Sequence, residues 1–441
     1  MRLIKHIIFS DIDNNRKLII NSLNGTMDEI GKDAFEILSK WHNEEEIVAQ
    51  NDLESSLYET LKRRGYLVHS EEEEVLAKNK ILEFLRKNDT KDRENRKHMT
   101  FVMTYDCNFR CFYCFEGEDK AKRAVMTPSL IDSALTLAGG NLESIELFGG
   151  EPLLPKTRYA FEYLIEKMPD VFYGITTNGY YLEDFFDLIV KIKTYKIIVT
   201  LDGEEEVHDG RRYLANGKPT YQKIMRGVRK CLENGITITI RMNVDDSNFA
   251  NSTSLETTLL DEFSRYKNLI RFDKTPMLEM NDLDSFDLVA KMYESMVSYT
   301  PEERMQKNGL ITNMSPIINS ITASAPMRPL YNFCYAHENK LAVDPYGDIY
   351  TCLLTVGKPR GSAGKYHPFI ELKENSIYNR NIDKIKECTE CIYSLLCGGG
   401  CALRIQDPND MFKPACSSIK NQIHNLLPKL YKIAQNAELQ K

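Results

Sequence analysis

The sequence predicts an α/β protein built on a parallel sheet, with a small winged-helix-like unit before it and a cysteine-rich, loop-rich region after it. Three observations carry this expectation. From about residue 98, strand, loop and helix alternate six times. Residues 1–95 instead show a hairpin and two short amphipathic helices. Beyond about residue 310 the alternation stops, and most of the remaining cysteines accumulate there. The domain boundaries expected from these changes are 1–95, 96–310 and 311–441.

Within the first block, HIIFSDIDNNRKLIINSL (6–23) reads as two β-rich runs around the turn signal DIDNN. DAFEILSKWH and LESSLYETLKRRGYLV are each apolar at helical spacing. A wing would follow at HSEEEEV, and its four carboxylates oppose any approach of phosphates, so a peptide-binding or structural role is expected rather than DNA binding. NDTKDRENRKH reads as a charged linker.

In the second block the expected strands are MTFVMTY, SIELFGG, YGITTNG, KIIVTLDG, TITIRMNV and LIRFDKT. SLIDSALTLA, YAFEYLIEKM, EDFFDLIVKI, YQKIMRGVRKCLE and SLETTLLDEF supply the helices. Such β/α units predict a parallel sheet, either doubly wound or curled into a partial barrel, with functional residues at the C-terminal strand ends. The chain closes on SIKNQIHNLLPKLYKIAQNAEL, a helix with a proline bend.

A net charge of -7 argues against nucleic acid or an anionic membrane as the main partner. No apolar run is long enough to span a bilayer, and the N-terminus lacks a secretory pattern, so a cytoplasmic location is expected. Structural disulfides are rare there. Ten of the eleven cysteines fall in two tight groups, which points to soft-metal binding. Cys231, alone in an apolar helix, reads as a core residue.

The first group is Cys107, Cys111 and Cys114, at CX3CX2C just after the first strand of the series. Three thiolates on so short a loop can hold three irons of a [4Fe–4S] cube and leave one iron free. A zinc site with a distant fourth ligand is the alternative, though structural zinc favours CX2C pairs.

With Tyr113 just before the last cysteine, this loop resembles the radical S-adenosylmethionine (SAM) superfamily. The resemblance continues through Gly149-Gly150-Glu151-Pro152 after strand two, Thr176-Thr177-Asn178-Gly179 after strand three, and Thr200-Leu201-Asp202-Gly203 with His208-Asp209 and Arg211-Arg212 after strand four. It implies a partial (β/α)6 TIM-like barrel. It also implies that the open iron chelates the amino and carboxylate groups of SAM, which is cleaved to a hydrogen-abstracting 5′-deoxyadenosyl radical. The SAM contacts implied are Tyr113, Gly149, Gly150, Glu151, Thr177, Asn178, Thr200, Asp202 and Arg241. Arg241, a charge inside an apolar strand, needs a partner, and the SAM carboxylate is one candidate. His208 is expected to brace its loop rather than to transfer protons.

The second group places Cys334, Gly347 and Cys352 at CX12GX4C, then Cys388, Cys391, Cys397 and Cys401 at CX2CX5CX3C, and finally Cys416. This resembles the seven-cysteine SPASM domain, which carries two auxiliary [4Fe–4S] clusters; a pair of zinc ribbons is the alternative. The resemblance assigns Cys388, Cys391, Cys397 and Cys416 to the second auxiliary cluster and Cys334, Cys352 and Cys401 to the first. The first is then one ligand short, to be completed by His337, by a substrate thiolate, or not at all.

Together these features resemble radical SAM–SPASM maturases of ribosomal peptides, in which the N-terminal unit holds a leader peptide as an added strand. Such an enzyme would use three [4Fe–4S] clusters and SAM, with reduced flavodoxin or ferredoxin as electron donor. It would install a thioether or carbon–carbon cross-link in the precursor peptide. Alternatives in the same class are an anaerobic sulfatase maturase, which would want an aspartate where Leu353 follows Cys352, and a quinone-cofactor maturase. A different class is a non-catalytic electron carrier or redox-sensing regulator.

Overall fold

The structure, a computed structural model, describes residues 1–94, 97–117, 123–277, 286–297, 307–309, 320–321, 325–334, 340–405, 407 and 409–439. It opens with β1 (Arg2–Leu3), β2 (Ile7–Asp11), β3 (Arg16–Asn21) and β4 (Met27–Gly31). α1 (Lys32–Trp41), α2 (Asp52–Arg64), β5 (Leu67–Val68) and α3 (Glu71–Glu94) follow. The expected hairpin is β2–β3, turned where Asp13 accepts the amides of Asn15 and Arg16. β4 then adds antiparallel to β3. One face of this sheet, with Ile7 and Ile19, packs on Leu38, Trp41 and Leu61 of the helices. The other face, with Ile8, Leu18 and Ile20, packs on Leu396, Cys397, Ile423 and Leu427 near the C-terminus.

Where a wing was expected, the glutamates begin α3. Ser70 accepts the amide of Glu73, and Glu73 accepts the amide of His69, so the serine and glutamate cap the helix in the manner of a capping box. Acidic side chains also complement the helix N-terminus. Glu71 pairs with Arg2 and Lys5, and buried Glu74 accepts the backbone amides of Lys5 and His6. The expected linker is helical through Glu94, and residues 95–96 lie outside the described residues.

The six expected barrel strands are β6 (His98–Val102), β7 (Ser144–Phe148), β8 (Phe172–Thr177), β9 (Lys193–Thr200), β10 (Ile238–Val244) and β11 (Ile270–Pro276). Between them lie α4 (Pro128–Ala138), α5 (Arg158–Lys167), α6 (Phe186–Ile189), α7 (Glu205–Arg211), α8 (Tyr221–Glu233) and α9 (Phe249–Glu262), followed by α10 (Phe286–Val297). The strands lie parallel in chain order with no reversal, and β12 (Lys307–Gly309) extends them beyond β11. A doubly wound sheet has a switch point where strand order reverses; its absence here leaves the barrel-type winding. In β10, Ile238, Ile240, Met242 and Val244 are buried in the main core, which alternates with half-buried Thr239, Arg241 and Asn243 on the opposite face.

Beyond residue 310 the chain returns to the same sheet. β13 (Lys340–Val343) lies parallel to β6, and β14 (Asp348–Tyr350), β15 (Ser362–Lys365) and β16 (Glu371–Leu372) continue antiparallel. The expected terminal helix is Ser417–Asn421 and Leu427–Leu439 joined by a π-helical turn, Gln422–Leu426. Pro428 has no amide to donate back into the preceding turn, and the wider π turn accommodates it. Among the described residues no helix is long and apolar enough to cross a membrane.

Candidate active site

The loop after β6 carries Cys107, Cys111 and Cys114, all free thiols, at the C-terminal end of the strands. The Phe109 amide lies 3.4 Å from Cys107 Sγ as a donor, and Asn178 Nδ2 lies 3.8 Å from it. Bonds of this kind favour the thiolate that a metal needs. Gly149 and Gly150 face the same loop. A Cβ on Gly149 would stand 2.3 Å from the Thr104 carbonyl oxygen, and one on Gly150 would stand 2.3 Å from that of Tyr105. Only glycine permits this approach. Amide bonds from Gly150 to Thr104 and from Glu151 to Asp106 stitch the two loops together.

Glu151 is fully buried. Its carboxylate accepts from the Leu153 amide at 2.8 Å, Thr177 Oγ1 at 2.7 Å and the Asn178 amide at 2.7 Å. Burial nonetheless pushes its pKa up to about 7. These bonds tie the end of β7 to the end of β8. The carboxylate is therefore engaged by protein donors. Thr200 and Asp202 are buried at the end of β9.

A polar knot joins the cluster loop to β9 and β10. The Tyr113 hydroxyl donates to Asp202 and accepts from Arg212 Nη1 and from Asn243 Nδ2. Burial of Tyr113 pushes its pKa up. Burial would lower that of Arg212, but Tyr113, Cys111 and Asp202 together hold it above its ordinary value. Arg212 Nε has no partner among the described residues. Arg212 and Asn243 were quoted in the sequence without being named as contacts. The signal was present in both: Asn243 is the penultimate residue of β10, and Arg212 directly follows α7 on the functional side.

Arg241 has another partner. It forms a double contact with Asp273 Oδ2, at 2.8 and 3.0 Å, directly across the β10–β11 register. That ion pair supplies the counter-charge expected from the SAM carboxylate. His208 is fully buried between the Asp202 amide and Thr220 Oγ1, and burial drives its pKa well below the ordinary value. Asp209 accepts the amides of Thr220 and Tyr221 at the start of α8. The His-Asp pair thus braces a helix. Cys231 is fully buried in the main core, its pKa pushed up to about 12 by burial.

Of the second cysteine group, Cys352 follows β14, and Cys388, Cys391, Cys397, Cys401 and Cys416 lie beyond β16. Burial raises Cys388 to about 11, with further contributions from Cys391 and Cys416. Burial raises Cys397 to about 12, and Cys388, Cys416 and Cys391 add to it. Burial also raises Cys352, and Cys401 adds to that. Thiols crowded in this way resist ionisation until a cation is present, which inverts the preference. Among the described residues no three His, Cys, Asp or Glu side chains converge on one point as ligands of a single ion would. Mutual proximity at longer range is what a multi-iron cluster asks of its ligands. Between Cys397 and Cys401, Gly398, Gly399 and Gly400 all have positive φ, of 59°, 84° and 77°. His337 lies outside the described residues.

Residues 101–246 match the Radical SAM superfamily model. The chain therefore carries a radical SAM domain. Such a domain implies SAM and a [4Fe–4S] cluster, and the cysteine loop with its glycine cradle is chemically suited to both. The radical SAM cyclopropyl synthase TigE of Paramaledivibacter caminithermalis is 22% identical over 94% of this chain and 93% of its own. Among solved structures, Streptococcus suis SuiB bound to precursor peptide SuiA is similar with a TM-score of 0.54 at 14% identity. That likeness covers 94% of this chain and 99% of SuiB. Native anSMEcpe with bound AdoMet and Kp18Cys peptide has a TM-score of 0.54 at 19% identity, covering 77% of this chain and 99% of its own. These likenesses show the fold, with the parallel sheet of the partial-barrel enzymes.

Proposed function

We propose that this chain is a radical SAM peptide maturase that installs a thioether or carbon–carbon cross-link in a ribosomally made precursor peptide. Residues 1–95 form the leader-recognition domain, 96–310 the partial barrel and 311–441 a SPASM domain. The observation that carries the reading is the seating of the N-terminal sheet directly on the second cysteine group, with Ile8 and Ile20 in one core with Cys397. In addition, the likeness to SuiB extends over nearly the whole chain, whereas that to anSMEcpe leaves about a quarter of it uncovered.

Cys107, Cys111 and Cys114 would hold the SAM cluster, which when bound supplies the electron that cleaves SAM. The glycine turn at 149–150 would present backbone to the SAM amine, and the knot of Tyr113, Asp202, Arg212 and Asn243 fixes the cluster loop against β9 and β10. Glu151, Thr177 and Asn178 lock the turn geometry, and the Thr200 hydroxyl would meet the ribose or the carboxylate of SAM. Cys388, Cys391, Cys397 and Cys416 would hold one auxiliary cluster, and Cys334, Cys352 and Cys401 the other. β4 pairs only with β3 among the described residues, so its outer edge is open to an added peptide strand. Reduced flavodoxin or ferredoxin would deliver the electron.

The test is anaerobic co-expression with a candidate short peptide from a neighbouring reading frame, followed by mass analysis. Loss of a hydrogen pair per cross-link is expected. An unchanged peptide, in the presence of active SAM cleavage, would refute the cross-linking proposal.

A further inference from the structure

Arg380 is the largest fully buried side chain among the described residues. Its Nη1 donates to the Gly400 carbonyl oxygen at 2.8 Å, and its Nη2 donates to the carbonyls of Gly399 and Lys413. Nε has no partner among the described residues. The thiols whose ionised forms would act on it are those of Cys388 and Cys397 from one expected ligand set and of Cys401 and Cys334 from the other. A buried guanidinium satisfied only by neutral carbonyls is strongly disfavoured unless an anion lies beside it. Two of the carbonyls it grips, those of Gly399 and Gly400, belong to the glycine loop joining Cys397 to Cys401, the shortest segment linking the two sets, and the third, that of Lys413, lies on the segment from Cys401 to Cys416. A side chain on Gly398 or Gly400 would strike the backbone of Asn332 or Ala415 within 2.3 Å, so this loop has little freedom to move away.

We propose that Arg380 is the shared counter-ion of two auxiliary iron–sulfur clusters, raising the reduction potential of both. The inference rests on the reading of the second cysteine group as two cluster sites. Thiolate-bound clusters are anionic, and reduction adds one more negative charge to each. In a water-free interior a fixed cation favours the reduced form. Arg380 is thus a positioning residue that makes the clusters better acceptors, while two of its three carbonyl bonds set the glycine loop between them.

The experiment uses full-length protein reconstituted anaerobically, with Cys107, Cys111 and Cys114 changed to alanine so that only auxiliary signals remain. Iron and sulfide analysis of this form tests the underlying reading: no bound cluster would overturn that reading and this inference together. Redox titration followed by electron paramagnetic resonance then compares it with added Arg380→Met and Arg380→Lys. For Arg380→Met the reduced-to-oxidised ratio at a fixed poise should fall at least about tenfold, a shift of about 59 mV for a one-electron couple. Arg380→Lys should restore most of it. Unchanged potentials in an Arg380→Met protein that retains its iron would overturn the proposal while leaving the cluster reading intact. Loss of auxiliary iron from Met and Lys variants alike, with native circular dichroism, would assign Arg380 to loop geometry and also overturn it.

Discussion

Glu151 gives the sharpest quantitative test, because its burial and its three donors act in opposite directions. Burial raises its pKa from 4.5 to about 7, so in the folded protein the carboxyl holds its proton over a range where the unfolded chain has released it. The folded state then binds more protons between these values, and its stability must fall as pH rises through that window. With the two pKa values given, the contribution drops by about 2 kcal/mol between about pH 5.5 and about pH 7.5. Glu151→Gln removes the titration. It also sets an amide against one of three donors (the amides of Leu153 and Asn178 and the Thr177 hydroxyl), a cost of about 1–3 kcal/mol. Urea unfolding of the wild type and the variant across this range should therefore give curves that converge as pH rises. Parallel curves would mean that the three donors keep Glu151 ionised in the native protein, and the argument from burial would fail.

Gly150→Ala should abolish SAM cleavage to 5′-deoxyadenosine while leaving circular dichroism native, because the new Cβ meets Tyr105 and Asp106 carbonyl oxygens at 2.3 and 2.5 Å. Product chromatography reads this directly. Tyr113→Phe removes the oxygen that Arg212 and Asn243 donate to, and should weaken SAM binding at least about tenfold with iron content unchanged, as calorimetry can show. Arg241→Met, by contrast, should leave SAM affinity within about threefold, since Arg241 answers Asp273; a large loss would return the SAM carboxylate to Arg241. Glu29→Pro on β4 should weaken leader binding in fluorescence anisotropy without altering SAM cleavage in the absence of peptide, because proline removes a ladder donor at that edge.

The barrel was legible because apolar runs and turn signals recur along the chain. Each of its six strands carries a buried face that water would otherwise meet, as in Ile238, Ile240, Met242 and Val244. The cysteine loop, the glycine turn and Asp202 all fall at strand ends for the same reason. Other elements were less visible. The run Glu71–Glu74 resembled a solvated wing, although Ser70 and Glu73 already spelled a helix start. β4, MDEIG, carries too little apolar character to announce itself and exists because β3 offers an edge. EDFFDLIVKI had helical spacing but forms only the short α6, the chain turning directly into β9. β13 was hidden by its distance in sequence from β6, a pairing that only the folded sheet creates. Arg241 shows the limit for charges: its need for a partner was evident, but the partner lay on the next strand.

The cores shared between the first and last thirds of the chain bear on how this protein could be re-engineered. Cys397 packs with Ile8 and Ile20, and Cys388 with Leu23 and Tyr331, while Leu82 and Leu85 of α3 close over the same cluster. A maturase assembled from interchangeable parts would let its leader-reading module be exchanged for another to redirect it to a new peptide. Here an exchange at residue 95 would strip apolar cover from two thiols of the second cysteine group. A successful chimera would have to carry Leu395, Leu396 and Ile423 along with the transplanted sheet, so the smallest transferable unit is discontinuous in sequence.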